Sequence, residues 1–309
     1  MTIVSRNPSL QAGPVGEPIA YMARTRDYYL TLGYGNPYQW AENAEIPFAR
    51  LTKPLAKTRV ALVTTAARFD PAHGDQGPTA PYNSAAKFYE VYSLDSTSSP
   101  DLRISHIAYD RTHTRPDDIN AYFPLVALRR ALGAGRIGEV TPRFHGFPTN
   151  RSQKTTVEVD APALLARLAE DGAEAAIFVP NCPVCHQCVT LAARRVEAAG
   201  IPTVIMGAAR DIVTQAGPPR FLFSDVPLGN AAGRPHDVAS QDLTLALALD
   251  LLEKADHAGT IWTSPLRWAE TDAWKRDFMD ITRLSAEEIA RSRDENDRQK
   301  AIAKEIREA

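Results

Sequence analysis

Short apolar runs alternate with amphipathic stretches along the middle of the chain. The apolar runs lie at 59–65, 175–180, 201–208 and 220–224. Their length and apolar character are typical of buried strands in a parallel sheet. Between two of these runs, Val189, Ala192 and Val196 recur at helical spacing, while Arg195 takes the opposite face. This alternation predicts an α/β fold made of two Rossmann-like parallel-sheet lobes with helices on both faces.

The same patterns predict the remaining elements. These are a strand at Leu102–Tyr109 and helices at Phe123–Leu132, Ala161–Glu170, Asp211–Ala216, Gln241–Leu252 and Ser285–Ala309. The stretch Tyr21–Gly35 is rich in tyrosine and can form a helix through Leu32. We expect its aromatic side chains, with Tyr38 and Trp40, to pack against the main domain or a partner chain rather than to form a ligand cage. The predicted organisation is an N-terminal arm with an aromatic helix (1–45), a first α/β lobe (46–150), a second α/β lobe with the cysteines (151–280) and a charged C-terminal helix (281–309).

All three cysteines of the chain lie in one turn between a predicted strand and a predicted helix. They are Cys182, Cys185 and Cys188, spaced C-x-x-C-x-x-C. Pro183 fits the first turn of a helix, so Asn181 or Cys182 is the predicted N-cap. The turn lies at the carboxyl edge of the sheet, where open α/β proteins bind ligands. Free N–H groups and the helix dipole stabilise a thiolate there, and a protonated His186 would add to this. We therefore predict that at least one sulfur is unusually nucleophilic.

Four interpretations of the cysteine spacing are open. The cysteines could be small buried residues at a helix start. They could bind zinc together with a histidine, although no second cysteine pair is present. They could hold an iron–sulfur cluster through three thiolates, although the fourth cysteine of a ferredoxin run is missing. Thiol redox or nucleophilic chemistry fits a C-x-x-C at a strand-to-helix turn best.

The overall composition narrows the function classes. With 309 residues, of which 44% are hydrophobic, the chain can bury a sizeable core in one large domain or two smaller ones. The formal net charge of -2 and the lack of a basic run interleaved with aromatics predict no nucleic-acid partner. No apolar run approaches the length of a membrane span, and the first thirty residues lack a signal-peptide pattern. We therefore expect no membrane association and a cytoplasmic location, where thiols remain reduced.

Polar residues near the ends of predicted strands are candidates for acid–base and binding roles. Asp110 and His113 follow the strand at Leu102–Tyr109 and would share the carboxyl edge with the cysteines as acid–base groups. The alternative is that Asp110 caps a turn and His113 is solvated. The candidate substrate-binding residues are Thr65, His145, Asp225, Asn230 and Arg234. His145 lies in a cation-rich segment suited to an anion, and the last three lie in a loop after a predicted strand.

The run from Cys185 to Pro202, CHQCVTLAARRVEAAGIP, resembles the selenocysteine segment of a known reductase family. The family is that of glycine, sarcosine, betaine and D-proline reductases, in its substrate-binding, selenoprotein B-type subunit. Counting back from Gly200-Ile201-Pro202 places Cys185 at the selenocysteine position and Cys188 at its partner cysteine. Residues 48–65, 109–138 and 223–235 are similar to further family segments, so that the resemblance spans roughly 45–280.

The resemblance implies a chemistry for the cysteines. In the family, a pyruvoyl group on a partner subunit activates the substrate amine, and a selenolate attacks the adjacent carbon. Here sulfur replaces selenium, and a thiolate is the weaker nucleophile, so the helix terminus and His186 would have to supply more activation. Cys182 is additional to the family pattern and could serve as a resolving thiol or a ligand.

Our main hypothesis from the sequence is a thiol-dependent reductase that cleaves a C–N or C–heteroatom bond of a small polar substrate. Cys185 is the expected nucleophile, Cys188 or Cys182 closes a disulfide, and an external dithiol such as a thioredoxin-like protein reduces it. No intrinsic cofactor or metal is expected. One alternative is a metal or iron–sulfur enzyme with Cys182, Cys185 and Cys188 as ligands; another is a non-catalytic binding subunit of a reductase complex. A homo- or hetero-oligomer is expected.

Overall fold

The computed structural model describes residues 16–73, 87–106 and 108–308. The first fifteen residues of the predicted N-terminal arm, and Ala309 of the predicted terminal helix, lie outside this part of the chain. The strands are β1 (Arg59–Thr64), β2 (Ala67–Arg68), β3 (Tyr92–Asp95), β4 (Leu102–Arg103), β5 (Glu139–Val140), β6 (Arg143–Gly146), β7 (Ala175–Val179), β8 (Thr203–Gly207), β9 (Arg220–Phe223) and β10 (Thr260–Thr263).

Helices connect most of these strands. They are α1 (Tyr21–Thr31), α2 (Leu125–Gly133), α3 (Gln153–Thr155), α4 (Ala161–Glu170), α5 (Pro183–Ala198), α6 (Arg210–Ala216), α7 (Val238–Lys254) and α8 (Ala286–Glu308). A π-helical segment, Thr156–Asp160, joins α3 to α4. Single 3-10 turns lie at Leu55–Lys57, Pro71–His73, Ile119–Ala121, Asp272–Arg276 and Ile281–Arg283. The helices predicted from apolar spacing are all present, with ends that differ by a few residues.

One eight-stranded sheet forms the centre of the molecule. Its order is β10-β9-β8-β7-β1-β6-β3, with β5 also paired to β1. The pairings are parallel except for that of β3 with β6, at the sheet edge. Strands of the predicted first lobe occupy one half of the sheet and strands of the predicted second lobe the other half. They meet where β1 pairs with β7.

Alternate residues of the central strands are buried in two cores on opposite faces of the sheet. Leu62 and Ile177 belong to the core that includes side chains of α2 and α7. Val63 and Phe178 belong to the core that includes side chains of α4 and α5. The mixed α/β fold with a mostly parallel sheet between helices is therefore confirmed.

The predicted strand at Leu102–Tyr109 is wrong. Among the described residues of this stretch, Leu102–Arg103 alone forms a strand. It pairs antiparallel with Ala67–Arg68 in a separate two-stranded sheet. A strand with one face in solvent would bury Ile104 and His106 and expose Ser105 between them. All three residues are buried. The alternation therefore does not mark a strand with one face in solvent, and the chain leaves the ladder after Arg103.

None of the helices in the described ranges combines the length and apolarity that crossing a bilayer requires.

Candidate functional site

The cysteine turn begins where β7 ends, at the carboxyl edge of the sheet. The Asn181 backbone N–H donates a hydrogen bond to Thr65 Oγ1 at 3.0 Å, which ties the turn to the segment after β1. Cys182 is the N-cap of α5, as predicted, with an extended backbone and a sulfur that accepts from the Cys185 N–H at 3.2 Å. Pro183 occupies the first helical position, where its missing N–H costs nothing.

Cys182 and Cys185 form a disulfide. Their Cα atoms are 4.9 Å apart, within the usual range for such a bond. Cys185 is fully buried and its sulfur accepts a hydrogen bond from Thr149 Oγ1 at 3.3 Å, whereas Cys182 keeps 5% of its surface exposed. The disulfide thus joins two cysteines at the start of one helix, and of the two only Cys182 keeps any exposed surface.

Cys188, one turn further along α5, is a free, fully buried thiol. Its sulfur donates to the Asn150 carbonyl at 3.2 Å and lies 3.7 Å from Thr156 Oγ1. Burial raises the pKa of this thiol to about 12, so it is protonated at neutral pH. Cys188 therefore lacks the thiolate character that a nucleophile requires.

His186 does not act as a cation beside the sulfurs. Its Nδ1 lies 2.7 Å from the Cys182 carbonyl oxygen, and its Nε2 accepts from the Ala208 N–H at 2.9 Å. Burial lowers its pKa to about 4, so the ring is neutral. The expectation of a protonated His186 that activates a cysteine is not met, and the ring instead joins the turn to the end of β8.

A cavity of about 210 Å³ opens in front of the turn. Cys182, Pro183 and Val184 form one of its walls. The aromatic side chains that line it are Tyr29, Tyr34, Tyr38 and Trp40. The packing expected of the aromatic arm holds for Tyr21, which is buried against Phe278, but these four rings face a cavity. The aromatic spacing alone could not distinguish the two roles.

The charged side chains that line the cavity are all basic. They are Arg26, Lys87, Arg151 and Lys300, and no Asp or Glu is among the described residues of the lining. Lys300 belongs to α8 and lies over the Tyr34 ring, 3.4 Å from its centroid. Arg293 of the same helix lies 3.7 Å from that centroid. The terminal helix thus closes the cavity against the N-terminal arm, and the lining favours a molecule that carries negative charge.

His106 is a cavity residue that the sequence analysis missed. A ring nitrogen of His106 and the sulfurs of Cys182 and Cys185 lie within 4.8 Å of one another. The side chain is only 6% exposed, and Nδ1 has no hydrogen-bond partner among the described residues. Burial, with Lys87 and Arg111 nearby, lowers the pKa of the imidazole to about 3. The residue lies in the segment wrongly predicted as a strand, so no sequence pattern marked it.

These three residues also form the group of potential metal ligands in the described part of the chain. The group differs from the predicted set, because His106 takes the place of Cys188. Metals bind thiolates, and in a disulfide the two sulfurs are bonded to each other. In this form the donor set does not fit a metal.

Asp110 and His113 lie together, but not at the cysteine cavity. Asp110 accepts from the backbone N–H groups of Thr112 and His113 and lies 3.1 Å from His113 Nδ1. His113 Nε2 lies 3.0 Å from Asp277. His113 and Arg234 line a second, more open cleft. Asp110 therefore caps a turn, which is the alternative interpretation of the sequence, and His113 is held between two carboxylates.

The other candidate binding residues are held in structural contacts. Asn230 is buried and its Oδ1 accepts from Thr114 Oγ1 at 3.1 Å. Asp225 pairs with Lys275, and burial raises its pKa. His145 lies in the sheet, 2.9 Å from Ser93 Oγ and 3.2 Å from Asp171. Of the predicted set, Thr65 alone contacts the cysteine turn in the described structure, through the Asn181 N–H.

Comparison with known proteins finds relatives among subunits of reductase complexes. The chain is 30% identical over 219 residues to the D-proline reductase subunit gamma of Acetoanaerobium sticklandii, and the match covers 71% of this chain and 88% of that protein. It is 26% identical over 208 residues to the glycine reductase complex component B subunit gamma of Carboxydothermus hydrogenoformans, covering 66% and 46%. A sarcosine reductase complex component B subunit beta of Peptoclostridium acidaminophilum is 26% identical over 200 residues, covering 64% and 43%.

The chain spans less than half the length of the glycine and sarcosine reductase relatives. No family model matches the chain. No solved structure matches it either. The match to the D-proline reductase subunit nevertheless extends over most of both proteins. This chain therefore belongs to the family of D-proline, glycine and sarcosine reductase subunits, as the resemblance of its cysteine segment predicted.

Proposed function

We propose that this chain is a component of a reductase complex, and that its Cys182–Cys185 pair cleaves a C–N or C–heteroatom bond of a small polar substrate. The observation that carries this proposal is a disulfide at a helix N-terminus, one of whose cysteines, Cys182, lines a cavity. The related subunits of D-proline, glycine and sarcosine reductases support the reaction class.

Within the pair, we assign the attacking role to Cys182 rather than to Cys185, which the sequence comparison had favoured. Cys182 lines the cavity, whereas Cys185 is fully buried behind it. A nucleophile must reach its substrate, and a resolving thiol needs only to reach the first sulfur. Cys188 has no chemical step in this assignment, because its sulfur is buried and donates to the Asn150 carbonyl.

The proposed reaction balances in two steps. The Cys182 thiolate attacks the substrate carbon, a C–S bond forms, and the bond from carbon to the leaving nitrogen or heteroatom breaks. The leaving group departs with a proton. The Cys185 thiolate then attacks the Cys182 sulfur, which closes the disulfide and releases the carbon fragment with its electron pair, and this fragment takes up a proton. The pair of cysteines is oxidised, and an external dithiol must reduce it before the next turnover.

The surroundings of Cys182 favour the thiolate that this reaction needs. The sulfur sits at the amino end of a 16-residue helix, where the dipole stabilises negative charge. Basic side chains line the cavity in front of it. A pyruvoyl group on a partner subunit, which the family resemblance implies, would activate a substrate amine within such a complex. This chain would supply the thiol pair, in either a homo- or a hetero-oligomer.

Selective alkylation and activity measurements test the assignment. In the fully reduced chain, a limiting amount of iodoacetamide should modify Cys182 first, and peptide mass mapping identifies the site. In the assembled complex, Cys182→Ser should lower reductase activity at least about 1,000-fold, as loss of a nucleophile does. D-proline, glycine and sarcosine are the first substrates to test, because the relatives are reductases of these names.

Cys188→Ala is the matched control, and we expect it to keep both the disulfide and the fast alkylation of Cys182. Three slowly alkylated thiols, or unchanged activity in Cys182→Ser, would contradict the proposal and favour a non-catalytic binding subunit. Alkylation at Cys185 before Cys182 would reverse the order of the two roles.

A further inference from the structure

The described part of the chain buries three histidines, and His106 differs from the other two. His186 has both ring nitrogens engaged by the backbone, at the Cys182 carbonyl and the Ala208 N–H. His145 Nε2 also makes no hydrogen bond among the described residues, but it lies 3.2 Å from an Asp171 oxygen, and His145 Nδ1 lies 2.9 Å from Ser93 Oγ. His106 Nδ1 has no hydrogen-bond partner among the described residues. A buried nitrogen without a partner is uncommon, because burial removes its hydrogen bonds to water.

His106 lies close to the disulfide. A ring nitrogen lies within 4.8 Å of both sulfurs of the disulfide, and the side chain lines the cavity. A disulfide has no proton to share with an imidazole. Reduction turns the same two sulfurs into thiols, each of which can donate a hydrogen bond. Reduction therefore creates two hydrogen-bonding groups close to the imidazole.

We propose that His106 is the proton-transfer residue of the Cys182–Cys185 couple. This inference rests on the proposed redox role of the two cysteines and adds a named acid–base group to it. In reduction by an external dithiol, His106 takes the proton from the attacking thiol, whose sulfur bonds to Cys182 as the bond between the two cysteine sulfurs breaks. The protonated imidazole then gives this proton to the departing Cys185 thiolate.

The second half of the exchange completes the balance. The second thiol of the reductant attacks the sulfur that is bonded to Cys182, and Cys182 leaves as a thiolate. His106 takes the proton of that second thiol and gives it to the Cys182 thiolate. The external dithiol ends as a disulfide, both cysteines end as thiols, and His106 is unchanged.

The charged groups near His106 favour the neutral form of the ring between proton transfers. Lys87 and Arg111 are cationic, and the Arg111 guanidinium donates to the His106 carbonyl oxygen at 3.3 Å. With burial, they keep the imidazole neutral at physiological pH. A proton that reaches the ring in such surroundings is given up readily. The sulfurs of Cys182 and Cys185 lie close to the ring, and the other titratable side chains that line the cavity are Arg26, Tyr29, Tyr34, Tyr38, Arg151 and Lys300.

Rapid reduction of the oxidised full-length chain by dithiothreitol tests the proposal, with acid quench and intact mass as the readout. We expect His106→Ala to slow reduction about 100-fold, the usual contribution of a general acid–base group. Added imidazole should restore part of this rate in His106→Ala and leave the wild type unchanged, because the shortened side chain leaves room beside the cavity. A purely structural role would give no such rescue. His257→Ala, at an exposed histidine, is the control and should match the wild type.

His106→Asn is the second variant, because asparagine keeps a polar atom near the Nδ1 position but cannot carry the proton. It should fold like the wild type and remain slow. Wild-type reduction rates in His106→Asn, or no rescue of His106→Ala by imidazole, would overturn the proposal. Stoichiometric zinc in the reduced wild type that is lost in His106→Asn would also overturn it, because His106 would then be a ligand. If these variants are unaffected while Cys182→Ser abolishes activity, the proposed function stands and the role of His106 alone fails.

Discussion

The two ends of helix α5 are both buried but differ in how their polar groups are satisfied. At the amino end, Cys182 lines a cavity. The side-chain amide of Asn181 and His106 Nδ1 have no hydrogen-bond partners among the described residues. At the carboxyl end, about 24 Å away, the two oxygens of Glu197 accept four hydrogen bonds. The donors are the Ala49 N–H, the Thr203 N–H, the Thr203 hydroxyl and the Arg220 guanidinium.

This difference shows that burial and charge do not by themselves mark a reactive site. Glu197 is an ionisable group in the core, and burial raises its pKa, yet both of its oxygens accept hydrogen bonds and it lines neither of the two cavities described above. The amino end combines an accessible sulfur, unpaired polar atoms and space for a ligand. The cavity and the disulfide distinguish the amino end, because the carboxyl end also contains a buried atom without a hydrogen-bond partner among the described residues, Arg220 Nε.

The largest effect that we expect is at the carboxyl end. Glu197→Gln leaves the Arg220 guanidinium, which is fully buried, without its counter-charge. Breaking a buried ion pair in this way should lower the free energy of unfolding by about 3–5 kcal/mol. Urea denaturation of the oxidised chain measures it. Glu253→Gln removes a partly exposed pair with Arg136 and should cost at most about 1 kcal/mol. If Glu197→Gln lowered the free energy of unfolding by no more than Glu253→Gln does, the contrast between the two ends of α5 would not hold.

Acid should weaken the amino end through His186. The pKa of His186 is about 4 in the folded chain, below the ordinary value of 6.5. Between these two values the unfolded chain binds more protons, so the free energy of unfolding falls as the pH falls. The contribution is about 3 kcal/mol, fully present above pH 6.5 and lost by pH 4.

Denaturation series from pH 8 to about pH 4 in the wild type and in His186→Asn measure this contribution. The variant lacks the titrating ring, so its stability should vary less with pH over this window. His257→Ala, which alters an exposed histidine, should follow the wild-type curve. Parallel curves for the wild type and His186→Asn would show that the ring is not held neutral by the fold.

Thr65→Val should have a moderate effect on stability. It removes the acceptor of the Asn181 N–H, which is buried at the start of the cysteine turn. Leaving that donor unpaired should cost about 1–3 kcal/mol. Thermal unfolding with the disulfide intact measures it. Thr260→Val, at a half-buried residue whose hydroxyl bonds a nearby carbonyl, is a control with a smaller expected loss.

The smallest effect that we expect concerns charge selectivity at the cavity. Reduced Cys182 should react faster with iodoacetate, relative to iodoacetamide, than a free cysteine does, because the cavity side chains that carry charge are basic. Lys300→Ala should lower this ratio about two- to fivefold, and added salt should lower it in the wild type. Lys254→Ala, on the exposed surface of α7, should leave the ratio unchanged. An unchanged ratio in Lys300→Ala would show that this lysine does not influence the sulfur.

Local sequence patterns were sufficient to predict the strand–turn–helix–strand unit around the cysteines. The apolar run of β7, Pro183 at the first helical position and the helical spacing along α5 all depend on near neighbours. The pairing within the cysteine turn was not determined in this way, because the spacing from Cys185 to Cys182 equals that to Cys188. Cys188 stays free because it is buried and its sulfur donates a hydrogen bond to the Asn150 carbonyl.

Contacts between distant segments explain what the sequence did not reveal. His106 and the two sulfurs are brought together from segments far apart in the sequence, and no local pattern encodes that contact. His113 was expected near the cysteines, but Asp277, far along the chain, is its partner. The rings of the N-terminal arm line the cavity because α8 packs over them, as the contacts of Tyr34 with Arg293 and Lys300 show.

The cavity walls come from separate parts of the chain: the cysteine turn, the aromatic arm near the start, α8 near the end, and further residues such as His106 and Arg151 from other segments. The two bonded cysteines and most of the residues that line the cavity are thus encoded in separate stretches of sequence. Substitutions in the arm or in α8 can change which molecule is accepted without altering the thiols. A relative with the same cysteine turn but different terminal segments is therefore expected to carry out the proposed bond cleavage on another compound.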